Sequence, residues 1–363
     1  MHCPQFAIFL VSYNTIGMTI IGNAGSCGLK DAWKDKFRIG AAVSGKILMQ
    51  KEADEIITRH FSSLTAENAM KFGEIHPGEN EWNWEEADLI AGYARRSNIP
   101  MRGHAIVWHN QVPEWLFRSG DEPVSKNELF GRLESHIAAM AQRYGDAVYA
   151  WDVLNEVIDT EKGDENGFRL SEWYKIGGKE IYEFAYKRMH EACPNAVLFY
   201  NDYNIECGDK MNATVRFLSE LLDHGVPVHG AGIQGHWYYN YPGTEILNSA
   251  IEQYASLGLG VDITELDISA YEFDDKREKE GCFASMPDDR LRLQADRYQM
   301  IFRIAANYQA VKNITTWGIA DNHTWLDNFP VKNRKNWPLL FDCGYQPKQV
   351  VSSLIELGLS FSE

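Results

Sequence analysis

Short apolar runs alternate with longer amphipathic stretches along the chain from about residue 28 onward. The short runs are rich in β-branched and apolar residues, as buried strands are, whereas the longer stretches carry apolar residues at helical spacing. The eight candidate strands are residues 37–43, 62–68, 101–109, 148–156, 196–204, 228–237, 260–267 and 313–321. Strands that alternate with helices predict parallel βαβ units, and eight such units predict an α/β fold that is a single closed (β/α)8 TIM barrel.

The domain organisation follows from the continuity of this pattern. No linker rich in Ser, Gly or Pro and no low-complexity tract divides residues 28–363, so we expect one catalytic barrel without an attached binding module. The charged stretch 271–281 is expected to be a mobile loop after the seventh strand.

Residues 1–27 precede the pattern and are expected to be an irregular leader outside the fold. Residues 6–21 are apolar but are interrupted by polar side chains at 12–15, and no Lys or Arg precedes them. A secretory signal begins with a basic region, and a membrane span needs about 20 consecutive apolar residues. The sequence therefore favours a cytoplasmic protein over a secreted one and predicts no association with a membrane.

The composition of the chain limits the kinds of molecule that it is expected to bind. The chain has 363 residues, a formal net charge of −16 and 45% hydrophobic residues. Nucleic acid is not expected as a partner, because phosphate binding needs a basic surface. Six cysteines are scattered without a C-x-x-C pair or a metal-ligand cluster, which is typical of free thiols in a reducing compartment. The 11 Trp residues can pack the core or present flat rings to a ligand.

Polar and aromatic residues stand at the carboxyl ends of nearly all the predicted strands. An α/β barrel places its active site at that end, whereas a purely structural barrel would have no use for such groups there. In chain order these residues are Glu67, Asn68, His104, Trp108, Asn155, Glu156, Asn201, Asp202, Gln234, His236, Glu265, Asp267 and Trp317.

Two of these residues form a candidate catalytic pair. Glu156 ends the run VYAWDVLNE and Glu265 lies in GVDITELD, so each carboxylate ends an apolar strand, where it is costly unless it is paired or used. A glycoside hydrolase needs two such carboxylates, one as acid and base and the other as nucleophile. For either motif alone, a structural salt-bridge network at the barrel mouth is the alternative.

Seven motifs resemble the family 10 glycoside hydrolases, which are endo-1,4-β-xylanases. In chain order they are TAENAMKF, RGHAIVWHNQVPEW, WDVLNE, FYNDYN, GIQGHW, ITELD and TWGIADNHTWLDNFP. The resemblance extends from about residue 28 to the C-terminus, and residues 322–342 are most similar to the single-module intracellular bacterial branch. The chain departs from the family pattern at Ala231 and at His323, where Tyr is usual, which leaves fine substrate preference open.

The resemblance implies a retaining endo-1,4-β-xylanase that cleaves xylan or xylo-oligosaccharides, with no metal, cofactor or carbohydrate-binding module expected. Glu156 matches the acid/base, Glu265 the nucleophile, and His236 with Asp267 the pair that orients the nucleophile. The matches to substrate-binding residues are Glu67, Asn68, Lys71, His104, Trp108, Asn155, Tyr203, Gln234, Trp317 and Trp325.

The chemistry of these residue types agrees with the resemblance. In a retaining enzyme the two carboxyl groups are about 5–5.5 Å apart, so the charge of one disfavours ionisation of the other. Glu156 could then hold a proton while Glu265 is ionised, and could act as base once Glu265 has become a glycosyl ester. A histidine that donates to Glu265 would keep that carboxylate charged.

Three rival functions are weighed against this one. A metal-dependent hydrolase could use His104, His109, His236 and His323, but His104 and His109 are five residues apart and would face opposite ways on one strand. A sugar-binding protein without catalysis would need a hidden defect, because both glutamates are present. A barrel glycosidase that acts on cellulose is the closest rival, since cellulose differs from xylan only by the C5 hydroxymethyl group.

Overall fold

The computed structural model describes residues 27–276 and 285–361. Within them, eight parallel strands follow one another around a barrel, and the last strand pairs with both its predecessor and the first, so that the sheet is closed. The strands are β1 (Arg38–Val43), β2 (Ser63–Ala66), β3 (Met101–Val107), β4 (Val148–Asn155), β5 (Val197–Asp202), β6 (Gly230–Ile233), β7 (Gly260–Ser269) and β8 (Val311–Thr316). The predicted (β/α)8 fold is confirmed.

A long helix follows each strand and packs on the outside of the barrel. These helices are α1 (Lys51–His60), α2 (Glu85–Ser97), α3 (Lys126–Tyr144), α4 (Glu180–Ala192), α5 (Gly208–Asp223), α6 (Thr244–Ser256), α7 (Asp288–Ala306) and α8 (Gln349–Ser360). Shorter helices lie at Leu29–Ala32, Gly45–Leu48, Phe72–Ile75 and Glu172–Gly177.

Helix α3 shows how local sequence produces this layer. Leu129, Leu133, Ile137 and Met140 recur every three or four residues and are all buried, which is the apolar stripe that a barrel helix turns inward. Ser125 begins the helix by accepting a hydrogen bond from the backbone N–H of Glu128. Both the periodicity and the cap are properties of the local sequence.

The region predicted as one strand at 228–237 is two strands in the structure. β6 ends at Ile233, and a separate short strand, His236–Tyr238, pairs with the second half of β7, where His236 is opposite Asp267. Gly235 lies between them with φ +83°, a left-handed conformation that L side chains rarely adopt. Because of this break, Gln234 and His236 do not belong to one continuous strand. The alternation of side chains along a strand therefore does not place them on a common face.

A buried ion cluster occupies the barrel interior below the mouth. Arg102 Nη2 lies 2.5 Å from Asp152 Oδ1, and Arg102 Nη1 lies 2.9 Å from Asp262 Oδ2. All three side chains are at most 2% exposed. Burial raises the pKa of Asp262 to about 6, although Arg102 opposes the shift. The cluster joins β3, β4 and β7 across the barrel.

Several smaller predictions concern the periphery. Trp82 stacks on His76 and Trp84 with ring centroids 3.6 and 4.5 Å apart. Of the described cysteines, Cys27, Cys193, Cys207 and Cys343 are free. The expected leader at 1–27, apart from Cys27, lies outside the described residues. Residues 277–281 of the expected loop also lie outside them. No helix among the described residues is both long and apolar enough to cross a bilayer.

We expect Arg102→Leu to destabilise the protein by about 3–5 kcal/mol at pH 7, because it leaves buried carboxylates without a counter-ion. Without the guanidinium, the pKa values of Asp152 and Asp262 in the folded state should exceed those in the unfolded chain, so the folded state binds more protons. The deficit should therefore shrink as the pH falls from 7 towards 5. Urea unfolding at both pH values measures it.

The matched control is Arg95→Leu, which removes an arginine whose side chain is 41% exposed and pairs with Asp146. Surface pairs of this kind contribute less than about 1 kcal/mol. Equal destabilisation by the two substitutions would contradict a dominant role for the buried cluster.

Candidate active site

A cleft of about 580 Å³ opens at the carboxyl ends of the strands. It is lined by every residue assigned above to catalysis or substrate binding except Asp267, which lies behind His236. The cleft is also lined by residues that the family resemblance did not assign to catalysis or substrate binding: His109, Asn110, Asn204, Phe273 and Phe329.

A second cavity of about 590 Å³ lies between the loops after β3 and β4 and meets the cleft at His109. Its lining includes Arg118, Lys162 and Arg169 but neither Glu156 nor Glu265. The first cleft is therefore the candidate active site, because it contains both carboxylates.

Glu265 lies in the second half of β7 and is only 5% exposed. Its Oε1 accepts a hydrogen bond of 2.7 Å from Asn201 Nδ2, and its Oε2 lies 3.1 Å from His236 Nε2. The Asn201 amide is oriented by Thr264, whose hydroxyl donates to Asn201 Oδ1 at 2.5 Å. Both oxygens of Glu265 are thus held by donors, and one rotamer is selected.

His236 bridges two carboxylates. Its Nδ1 lies 3.0 Å from Asp267 Oδ2, which also accepts a hydrogen bond of 2.8 Å from Trp325 Nε1. Both ring nitrogens can donate at once only if the imidazole is protonated. Burial by itself would lower the pKa of His236, but Asp267 and Glu265 raise it to about 10. For Glu265, burial by itself would raise the pKa, but the hydrogen bond from His236 lowers it. The pair is therefore an imidazolium and a carboxylate at neutral pH.

Glu156 follows the last residue of β4 with φ +57°. A non-glycine residue in the left-handed region is strained, and such strain is concentrated at functional sites. Its Oε1 accepts hydrogen bonds from Gln234 Nε2 at 3.0 Å and from Asn155 Nδ2 at 3.3 Å. Its Oε2 lies 3.9 Å from His109 Nδ1. The backbone turn directs the carboxyl group into the cleft, while two amides hold one oxygen.

The loop after β2 contributes Glu67, Asn68 and Lys71. Lys71 is 7% exposed, donates to Asn68 Oδ1 at 2.8 Å and lies 4.6 Å from the centroid of the Trp108 ring. Burial lowers the pKa of Lys71, while Glu265 and Glu67 oppose that shift. The indole N–H of Trp108 is buried without a hydrogen-bond partner among the described residues.

Three further aromatic groups surround His236 and Glu265. The His104 ring meets Trp317 edge-on with centroids 5.3 Å apart, and its Nδ1 lies 2.9 Å from Asp152 Oδ2. Trp325 lies across His236 with centroids 4.9 Å apart. These rings form one wall of the cleft.

Tyr203 follows β5 on another wall of the cleft. Its hydroxyl accepts a hydrogen bond of 3.1 Å from Arg169, and Lys210 Nζ lies 3.4 Å from the centroid of its ring. Arg169 also donates to the backbone carbonyl of Glu156 at 2.8 Å. One arginine thus links the acid/base candidate to the tyrosine.

Sequence reasoning placed two groups incompletely. His104 and His109 were expected to face opposite ways, but β3 ends at Val107 and both line the cleft. Asn201 was noted only as a polar strand end, yet it holds both Glu265 and Asn155 Oδ1, the latter at 2.8 Å. Its place at the end of β5 was the available signal. Within the described residues, no group of three or more His, Cys, Asp or Glu side chains has a metal-binding arrangement.

Comparisons with known proteins show the family to which the chain belongs. Residues 28–357 match the model of the family described as Glycosyl hydrolase family 10. "Endo-1,4-beta-xylanase A" of Caldicellulosiruptor saccharolyticus is 45% identical over 331 residues, which cover 90% of this chain and 95% of that protein.

Two solved structures also match. A crystal structure of endo-1,4-beta-xylanase from Caldicellulosiruptor owensensis has a TM-score of 0.87 and 42% identity, and covers 91% of this chain and 99% of that chain. A mutant structure in complex with xylotriose has a TM-score of 0.86 and 42% identity, with coverage of 91% and 99%. The chain belongs to glycosyl hydrolase family 10.

Proposed function

We propose that this protein is a retaining endo-1,4-β-xylanase in which Glu265 is the nucleophile and Glu156 the acid/base. It hydrolyses internal β-1,4-xylosidic bonds of xylan and xylo-oligosaccharides by double displacement. Family membership and relatives named as endo-xylanases support the activity. The observation that carries the residue roles is the charge difference at the site: Glu265 is hydrogen-bonded by a buried imidazolium, whereas the described residues within hydrogen-bond distance of the Glu156 carboxyl group are two neutral amides.

In the first step, Glu265 attacks the anomeric carbon of the xylose unit whose glycosidic bond will break. Glu156 gives its proton to the leaving oxygen as that bond lengthens, and a covalent glycosyl ester forms on Glu265. The imidazolium of His236 keeps Glu265 unprotonated and in place for this attack. Asn201 holds the other oxygen of Glu265 and so limits rotation of the carboxylate.

In the second step, ester formation removes the negative charge of Glu265. A water molecule then attacks the anomeric carbon from the side that the leaving group has left. Glu156, which has lost its proton, takes a proton from this water molecule. The glycosyl ester breaks and the β configuration is retained. The two inversions at one carbon account for the retaining outcome.

The remaining cleft residues bind the sugar chain in this proposal. Asn155 is placed beside Glu156 to hydrogen-bond the sugar 2-hydroxyl. Trp317 and Trp325 offer flat faces to the apolar C–H surface of xylose, and Trp108 lines the same cleft. The other proposed sugar contacts are Glu67, Asn68, Lys71, His104, Tyr203 and Gln234.

We expect Glu265→Ala to lower turnover of every xyloside by roughly 10⁴-fold or more, because no other group can form the covalent intermediate. Product release from xylohexaose, followed by chromatography, measures this loss. Glu220→Ala, which removes a surface carboxylate of α5 paired with Lys179, is the control and should retain full activity. Substantial hydrolysis by Glu265→Ala would mean that another residue is the nucleophile.

We expect Glu156→Ala to lower activity on xylan far more than activity on an aryl xylobioside with an acidic leaving group. The xylan leaving oxygen needs a proton, whereas an acidic phenol leaves without one. The kcat/KM values on the two substrates, compared with those of the unmodified protein, give the two losses, because kcat/KM reports formation of the glycosyl ester and not its later hydrolysis, in which Glu156 also acts. Equal losses on both substrates would contradict the acid role.

We expect His236→Asn to move the acid limb of kcat/KM to higher pH. His236 lowers the pKa of Glu265, so its removal raises that pKa, and the nucleophile becomes protonated at a less acidic pH. The pH profile should be measured on an aryl xylobioside with an acidic leaving group, for which Glu156 need not donate. His224→Asn removes an exposed histidine paired with Glu183 and should leave the profile in place. An unmoved acid limb in His236→Asn would show that His236 does not control ionisation of the nucleophile.

A further inference from the structure

The guanidinium group of Arg169 makes three hydrogen bonds beside the acid/base candidate. Its Nε donates to the backbone carbonyl of Glu156 at 2.8 Å. Its Nη1 donates to Asp159 Oδ2 at 2.9 Å, and its Nη2 donates to the Tyr203 hydroxyl at 3.1 Å. The side chain is only 16% exposed. Because the guanidinium is planar and rigid, these bonds together fix its orientation and the positions of the groups that accept them.

The backbone of Glu156 is held on both sides of a strained residue. Its N–H donates to the backbone carbonyl of Asn201 on β5 at 2.9 Å, and its carbonyl accepts from Arg169. A non-glycine residue at φ +57° is costly and persists only where its surroundings hold it. Removal of the Arg169 donor leaves one of these two restraints, so the backbone of Glu156 can relax from the conformation that directs its carboxyl group into the cleft.

The carboxyl group of Glu156 is held less firmly than that of Glu265. Among the described residues, hydrogen-bond donors reach only Oε1 of Glu156, and both are neutral amides. The Oε2 atom lies 3.9 Å from His109 Nδ1, which is beyond hydrogen-bond distance. A general acid must come within about 2.6–3.2 Å of the oxygen that takes its proton. The direction of the Glu156 carboxyl group therefore depends on its backbone.

The loop after β4 keeps Arg169 in place. The backbone N–H of Arg169 donates to the carbonyl of Val157 at 2.8 Å. Asp159 Oδ1 accepts a hydrogen bond of 3.0 Å from the backbone N–H of Lys162, while its Oδ2 pairs with Arg169. Burial by itself would raise the pKa of Asp159, but the N–H of Lys162 and the charge of Arg169 lower it. Asp159 is thus a carboxylate that offsets the charge of the guanidinium.

We propose that Arg169 is a positioning residue for acid catalysis, because it directs the Glu156 carboxyl group towards the leaving oxygen through the Glu156 backbone. This inference rests on the proposed acid/base role of Glu156. In this role Arg169 transfers no proton and forms no bond to the reacting atoms. Its loss should slow the reaction most where the leaving group needs the proton of Glu156, whereas a residue that only supports the fold would affect all leaving groups equally.

The test compares two aryl xylobiosides in the full-length protein. The leaving group of phenyl β-xylobioside needs a proton, whereas that of dinitrophenyl β-xylobioside does not. Both place one aryl ring on the leaving-group side, so the comparison does not depend on sugar contacts there. In Arg169→Met, we expect kcat/KM for the phenyl substrate to fall roughly tenfold more than kcat/KM for the dinitrophenyl substrate, since a misaligned acid loses part of its contribution.

Two further variants complete the comparison. Asp159→Asn weakens the anchor of Arg169 and should change the ratio of the two kcat/KM values in the same direction by a smaller factor. Arg118→Met is the matched control, because Arg118 lines the same second cavity as Arg169 but is 42% exposed and donates to the backbone carbonyl of Asp121. It should leave both kcat/KM values unchanged.

A selective loss on the phenyl substrate in Arg169→Met supports the positioning role. An equal loss on both substrates, or no loss on either, overturns it. If thermal unfolding shows that Arg169→Met does not fold, the ratio in Asp159→Asn decides between the same outcomes. Glu156→Ala in the same assay separates this inference from the proposed function. A selective loss in Glu156→Ala alone overturns only the role of Arg169, whereas no selective loss in Glu156→Ala overturns the acid role on which it rests.

Discussion

Closure of the parallel sheet is the constraint on which the active site depends. β8 pairs with β1 from Arg38 opposite Asn313 to Ala41 opposite Thr316, and β7 pairs with β8 on the other side. Because all eight strands run in the same direction around a closed barrel, their carboxyl ends share one rim. Residues as distant in sequence as Glu67 and Trp325 therefore line one cleft.

Counter-charges allow carboxylates to remain ionised in the buried positions at and below this rim. Buried carboxylates are tolerated only where a counter-charge and hydrogen bonds offset the loss of hydration. Arg102 performs this role in the barrel interior for Asp152 and Asp262, and Asp152 in turn orients His104 at the mouth. His236 plays the same role one layer higher, between Glu265 and Asp267. The charged groups of the core thus help to orient the residues that line the cleft.

Two departures from regular strand geometry re-aim the side chains that this chemistry uses. At Glu156 the backbone enters the left-handed region directly after β4, which turns the carboxyl group towards Gln234. At Gly235 the chain leaves β6 and begins a short strand beside the end of β7, which brings His236 opposite Asp267. Regular strands supply the rigid frame, and the irregular residues at their ends supply the direction.

The sequence by itself determined the number and order of the eight barrel strands, the rim position of Glu156 and Glu265, and the family. Strand and helix periodicities are local, and each motif is a short continuous run. The tertiary structure alone decided which donors surround each carboxylate. The hydrogen bond from Asn201 to Glu265 crosses 64 residues, and the stack of Phe329 on Trp325 beside the loop that carries Phe273 depends on two loops meeting. These contacts join side chains on different elements of the fold, and they form only once the barrel has closed.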